Sequence, residues 1–184
     1  MSTECPPADG SAPQKRRFDG PPPMCVDLSK RYTGLVKTTK GDLTVALDAI
    51  GAPRTVNNFV VLARYHYFDD VAFHRIIPGF VVQGGDPTGS GSGGPGYRFE
   101  DELPAPGRYE IGSLAMANAG PDTNGSQFFI ISGPQGTALP PSYSLFGKVV
   151  AGLDVVAALE QAGSRSGKPS ERVAIESVEI TEAD

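Results

Sequence analysis

The chain has 184 residues, a mass of 19.3 kDa and a formal charge of −5, which suits one domain with a real core and carries the wrong sign for a nucleic-acid face. Its 23 Gly and 17 Pro make up more than a fifth of the residues, nearly twice the roughly 12% of average usage, which excludes a mostly helical protein; a hydrophobic fraction of 39% excludes a disordered polymer. No apolar run approaches the roughly 20 residues of a membrane span.

Residues 1–32 read as a Pro-rich N-terminal arm, followed by a domain over 33–184. The arm holds six prolines within its first 25 residues and has no hydrophobic periodicity, so it is either a flexible tail or a strap lying on the domain. Its basic run Lys15-Arg16-Arg17 reads as solvated charge. The first residues, MSTECPPADG, show no basic stretch leading into an apolar one, so a cytoplasmic location is expected, with an exported form lacking its signal or anchor as the alternative. In a reducing compartment Cys5 and Cys25 are two free thiols; a bridge between them would tie the arm down.

Val36–Thr39, Lys40-Gly41-Asp42 and the alternating Leu43, Val45 and Leu47 predict a β-hairpin. Pro53 suits a first helical turn, and Val56, Phe59, Val60 and Ala63 predict a helix over 54–64. Residues 72–77 and 80–83 read as short strands broken by Pro78-Gly79, and 84–96 as a loop. Strands follow at 113–116, 127–132 and 145–150. Val155, Val156, Leu159 and Ala162 mark a second helix. A closing strand covers 172–181, where the apolar parity slips between Ile175 and Val178 and predicts a bulge. About eight short strands and two helices are best served by a closed barrel, which leaves no edge.

Several patterns carry no chemistry. Gly89-Ser90-Gly91-Ser92-Gly93-Gly94 matches GxGxxG, but Pro95-Gly96 follows instead of a helix, so this is a flexible surface loop. Two cysteines and two histidines, His66 and His74, fit no zinc template, and no metal or cofactor is expected. His74 lies between Phe73 and Arg75; alternation puts His74 and Arg75 on opposite faces, and His74 reads as a satisfied structural histidine. Glu100-Asp101-Glu102 reads as a solvated acidic face rather than a carboxylate pair.

Two stretches resist that treatment: Phe73-His74-Arg75-Ile76-Ile77-Pro78-Gly79-Phe80-Val81-Val82-Gln83-Gly84-Gly85-Asp86, and Met116-Ala117-Asn118-Ala119-Gly120-Pro121-Asp122-Thr123-Asn124-Gly125-Ser126-Gln127-Phe128-Phe129-Ile130. Each sets a guanidinium or amides among apolar strand residues, which is costly unless the polar group is paired or faces a site. Together they suggest a polar and aromatic cleft.

These stretches resemble the two signature runs of the cyclophilin family of peptidyl-prolyl isomerases, and Leu145-Phe146-Gly147-Lys148-Val149 resembles its third. The likeness covers roughly residues 34–181. It implies a mainly β fold, a closed eight-stranded antiparallel β-barrel capped by two α-helices, with the active face outside the barrel. It implies isomerisation of X-Pro peptide bonds in folding proteins, in a monomer with no cofactor, no nucleic acid and no membrane. Arg75 resembles the catalytic arginine. Phe80, Val81, Phe129 and Leu139 resemble the proline pocket; Gln83 and Asn118 would hold the substrate backbone, Gln127 would support Arg75 or the substrate, and Ala117 and Thr123 would line a neighbouring groove. Two departures stand out. A Trp that donates a hydrogen bond to cyclosporin in many members falls at Ala138, and a pocket His falls at Tyr143, so Tyr143 takes that place and cyclosporin binding is expected to be weak. The tract 139–143 looks like a bacterial variant. A proline-segment binding module or holdase with little turnover is the alternative reading, and redox regulation through Cys5 and Cys25 a third.

Overall fold

The computed structural model describes residues 3–184. Nine strands form one sheet in the order β3-β9-β1-β2-β8-β6-β7-β5-β4, and all hydrogen-bonded neighbours run antiparallel. They are β1 (Arg31–Thr38), β2 (Gly41–Leu47), β3 (Val71–Ala72), β4 (Arg75–Ile77), β5 (Val81–Gly84), β6 (Ser113–Met116), β7 (Phe128–Ile131), β8 (Leu145–Ala151) and β9 (Ala174–Ala183). Laid flat, eight gaps of about 4.8 Å would part the edge strands by about 38 Å. Yet Ala72 at the end of β3 and Arg75 at the start of β4 are three residue steps apart, at most about 11 Å. The sheet must curl round on itself, which gives the mainly β, barrel-like fold expected from the sequence, but with nine strands instead of eight and with no ladder joining β3 to β4 to close it.

The hairpin of β1 and β2 closes between Thr38 and Gly41 as the alternation predicts. The bulge is also present: Lys37 pairs with Ser177 but Thr38 with Ile175, so Glu176 is the extra residue. Alternation sorts the strands onto two surfaces. Ile76, Val82, Leu114, Met116, Phe128 and Ile130 enter the main core with Phe59, Phe68 and Phe146. Their neighbours Val81, Ala115, Phe129 and Ile131 form a second, smaller apolar cluster with Tyr109. The main core fills the barrel, and the second cluster lies on the opposite face of the same strands.

Three helices accompany the sheet: α1 (Pro53–Arg64), the single turn α2 (Pro134–Thr137) and α3 (Leu153–Glu160). Two of them match the predicted helices; α2 is too short for periodicity to reveal. Every residue of α1 from Thr55 to Arg64 is buried, because the arm covers the side that the barrel does not. Asn57 accepts from the Cys25 and Val26 amides and donates to the Pro23 carbonyl. No side chain at the Ala52 N-cap satisfies the first turn. Glu102 does so from a distance, accepting from the amides of Arg54 and Thr55 and the Thr55 hydroxyl. Glu100 pairs with Arg54, and Asp101 accepts from the Asp122 amide and Asn124 Nδ2. The acidic run is therefore a structural clamp, not a merely solvated face.

The arm is a docked strap. Cys5 and Cys25 are bridged, in place of the two free thiols expected from a reducing compartment. Phe18 is 4% exposed and sits among the rings of Tyr65, Tyr67 and Tyr97. The Lys15 and Phe18 amides donate to the carbonyls of Tyr65 and Pro95 at 3.0 and 2.9 Å. A single aromatic anchor with backbone hydrogen bonds on either side leaves no periodic trace in a sequence.

Candidate active site

Strand register builds the site. On the outer face, Arg75 of β4 pairs with Gln83 of β5, Gln83 with Phe129 of β7, Phe129 with Ala115 of β6, and Ala115 with Leu145 of β8. One row across five strands thus runs from a cation through an amide to an aromatic ring. A one-residue slip in any pairing would turn its strand's contribution into the core. Polar residues are tolerated at Arg75 and Gln83 because this end of the row is open to solvent; Arg75 is exposed and Gln83 half-buried.

The polar end is a relay. Arg75 Nη1 donates to Gln83 Oε1 at 3.1 Å. Gln83 Nε2 donates to Gln127 Oε1 at 3.4 Å, at the long end of hydrogen-bond range. Gln127 Nε2 donates in turn to the carbonyls of Gly91 and Gly93 at 2.9 and 3.1 Å. The guanidinium carbon of Arg75 lies 5.8 Å from the centre of the Phe80 ring, within cation–π range. These contacts fix the guanidinium while leaving donors for a ligand.

The apolar end is the second cluster. Phe80, Ala117, Leu139, Tyr143 and Leu145 pack on it and stay partly open. Phe129 and Tyr143 meet edge to face, with centroids 5.4 Å apart. Val81 is 1% exposed, so it forms the floor of this pocket rather than its wall. Tyr109, which the motifs do not touch, holds the wall: its hydroxyl donates to the Tyr143 carbonyl at 2.6 Å and accepts from the Tyr143 amide at 3.1 Å. A tyrosine 34 residues away in a Pro- and Gly-rich tract gives no local signal of that role.

Beside the apolar pocket runs a groove of about 900 Å³, lined among others by Gln83, Ala117, Asn118, Thr123 and Gln127. The sequence-predicted residues thus fall into two adjoining compartments. Asn118 Nδ2 donates to the Ser142 carbonyl at 3.0 Å and its Oδ1 accepts from the Gly120 amide at 3.1 Å. Thr123 closes the same turn through the Ala119 amide and Gly120 carbonyl. Both side chains shape the 118–124 turn as well as facing the groove.

The glycine-rich loop is ordered around one carboxylate. Asp86 is fully buried and accepts from the amides of Thr88, Gly91 and Gly93 and from the hydroxyls of Thr88 and Ser90. Burial alone would raise its pKa; the Thr88, Gly93 and Gly91 hydrogen bonds outweigh that and hold it below the ordinary value. A Cβ on Gly93 would collide with Asp86 Oδ1 and Thr88 Oγ1. Gly93 supplies close backbone approach, and Gly89 and Gly91 supply left-handed backbone, with φ of +68° and +87°.

His74 departs from expectation too. It lies before β4 and borders the same shallow depression as Arg75, with Ser90, Gly91 and Gly167. Its Nδ1 is buried with no hydrogen-bond partner among the described residues. Burial lowers its pKa, partly countered by Asp86 and reinforced by Arg75, so the neutral ring is favoured beside the site.

Nothing in this geometry supplies an activated nucleophile. It offers a fixed cation beside an apolar pocket sized by aromatic rings, flanked by amides able to hold an extended backbone. The comparisons with known proteins agree. Residues 34–180 match the family model described as cyclophilin type peptidyl-prolyl cis-trans isomerase/CLD. A peptidyl-prolyl cis-trans isomerase-like 1 of Gibberella zeae is 44% identical over 157 residues, covering 82% of this chain and 95% of that protein. Peptidyl-prolyl cis-trans isomerase B of Streptomyces anulatus is 41% identical over 173 residues, covering 83% and 98%. A cyclophilin type isomerase of Cryptosporidium parvum superposes with a TM-score of 0.77 at 34% identity, over 84% of this chain and 99% of that one; its structure in the presence of the dipeptide Ala-Pro gives 0.75 at 36% identity, over 81% and 98%. The chain belongs to the cyclophilin-type peptidyl-prolyl cis-trans isomerases, enzymes that rotate X-Pro peptide bonds.

Proposed function

We propose that Arg75 is the catalytic residue of this isomerase and that the Phe80, Phe129, Leu139 and Tyr143 pocket takes the proline ring. The X-Pro bond resists rotation by about 18–20 kcal/mol because of its partial double-bond character, and spontaneous exchange takes tens of seconds. Turnover at roughly 10–1000 per second needs about 4–7 kcal/mol of barrier lowering. As the amide twists, the prolyl nitrogen becomes pyramidal and regains its lone pair. A guanidinium donating to that nitrogen binds the twisted state better than the planar one, and only such a difference accelerates the reaction. Bonds are neither made nor broken, so a fixed donor and a fitted pocket suffice.

The observation that carries this reading is the Arg75–Gln83 pairing on the row that ends in the Phe129 pocket. Gln83 and Asn118 are suited to hold the substrate backbone, Gln127 to brace Gln83, and Ala117 and Thr123 to line the groove. The Cryptosporidium parvum relative studied with Ala-Pro supports a proline-containing peptide as the occupant. NMR exchange spectroscopy on an Ala-Pro peptide tests the reading: cis and trans signals should exchange in the presence of this protein. Shifted signals without exchange would instead identify a proline-segment binder. The Cys5–Cys25 bridge favours an oxidising compartment over the cytoplasm as the working location.

A further inference from the structure

The arm lies outside the matched family region, which begins at residue 34, yet it reaches the substrate groove. Of its basic run, two members are occupied. The Lys15 ammonium sits 5.0 and 5.7 Å from the ring centres of Phe18 and Tyr65. Arg16 donates to the carbonyls of Tyr67 and Asp69. Arg17 is exposed, makes no ion pair among the described residues, and lines the groove together with Gln83, Asn118 and Gln127.

Its position is not that of a loose tail. The next residue, Phe18, is buried among three tyrosines and donates its amide to the Pro95 carbonyl. Gly96 has a φ of +101°, and a Cβ there would lie 2.6 Å from the Phe18 carbonyl oxygen; the groove loop and the arm are packed backbone to backbone. The disulfide closes the arm on itself across 20 residues. Arg17 is thus presented from a fixed base.

The charge of the groove is also out of character for the chain. Its charged lining residues are Arg17 and Arg98, both cations, in a protein of net charge −5. A groove of one sign with partly enclosing walls concentrates the field on its occupant. We propose that the arm completes the substrate groove, and that Arg17, with Arg98, makes this isomerase select proline segments bearing an Asp or Glu side chain close to the proline. This rests on the groove being the path of the substrate backbone, as read above.

The test is a set of isomerisation rates on one proline peptide carrying Glu or Lys in turn at each of the three positions before and two positions after proline. The readout is the Glu-to-Lys ratio of kcat/KM at each position for the full chain and for Arg17→Glu. Each ratio is taken within one enzyme, so differences in folded fraction cancel. Wild type should prefer Glu at one or more positions by about fivefold at low salt, with the preference shrinking in 1 M NaCl. Arg17→Glu should abolish or invert that preference at the same positions. A ratio near one at every position in wild type, or a preference untouched by Arg17→Glu, would overturn the proposal while leaving isomerase activity itself intact. Loss of activity on all peptides in wild type would instead count against the site reading beneath it.

Discussion

Arg75 and Gln83 face one another across the β4–β5 ladder, and the Arg75 guanidinium donates to the Gln83 amide oxygen at 3.1 Å. An arginine loses much side-chain freedom when it is held, and this contact imposes that loss before substrate arrives. Replacing Gln83 with Leu keeps the outer face of β5 filled but removes both the Arg75 acceptor and the donor to Gln127. We predict that kcat falls about tenfold, the scale of one hydrogen bond to a charged group, with an unchanged circular dichroism spectrum. Wild-type kcat in Gln83→Leu would show that Arg75 needs no brace.

Asp86 orders the loop that holds Gln127. Its carboxylate gathers three amides and two hydroxyls of the 86–93 loop, and that loop holds Gln127 through two carbonyls. Asp86→Ala leaves those donors without their acceptor. Stability should drop by about 2–3 kcal/mol in urea denaturation, and activity should fall in the protein that remains folded. A variant as stable as wild type would mean that the loop orders itself.

His74 sets a pH signature. Burial depresses its folded-state pKa below the ordinary 6.5, so the unfolded chain takes up the proton first as pH falls. The stability that comes from keeping the ring neutral is complete above about 6.5 and declines below it, until the folded-state pKa is passed. Urea denaturation of wild type and His74→Gln at pH 7.5 and 5.0 isolates the effect: the wild type should lose more stability between the two. Equal losses would show that the ring is not shielded from solvent.

What was legible in the sequence followed from periodicity and from long motifs. Arg75, Gln83 and Phe129 are readable because they stand in two long runs that resemble the family's signatures; the ladder register that brings them side by side belongs to the fold. The role of Asp86 is not readable, since its partners are mostly backbone amides, which every residue carries. Glu102 reads as surface charge because its partners in α1, Arg54 and Thr55, lie 48 and 47 residues earlier. The arm was the least legible part: one phenylalanine in a slot built from Tyr65, Tyr67 and Tyr97 does the anchoring, and a proline-rich sequence has no pattern to announce it.

Cyclosporin should bind weakly. Ala138 caps the end of α2 and is exposed, with no indole to donate a hydrogen bond, while the Tyr143 ring packs on Phe129 and its backbone is held by Tyr109. Ala138→Trp should tighten cyclosporin binding about fivefold in a calorimetric titration, the value of one net hydrogen bond. Tight binding by the wild type would contradict the reading of this rim.

Arg75→Ala is the most direct test of the central claim. The residue is exposed and contributes no core packing, so the barrel should survive, as judged by circular dichroism and urea denaturation. In a proline-peptide isomerisation assay, kcat/KM should fall at least about tenfold. A folded Arg75→Ala protein with wild-type kcat/KM would contradict the assignment of Arg75 as the group that favours the twisted amide.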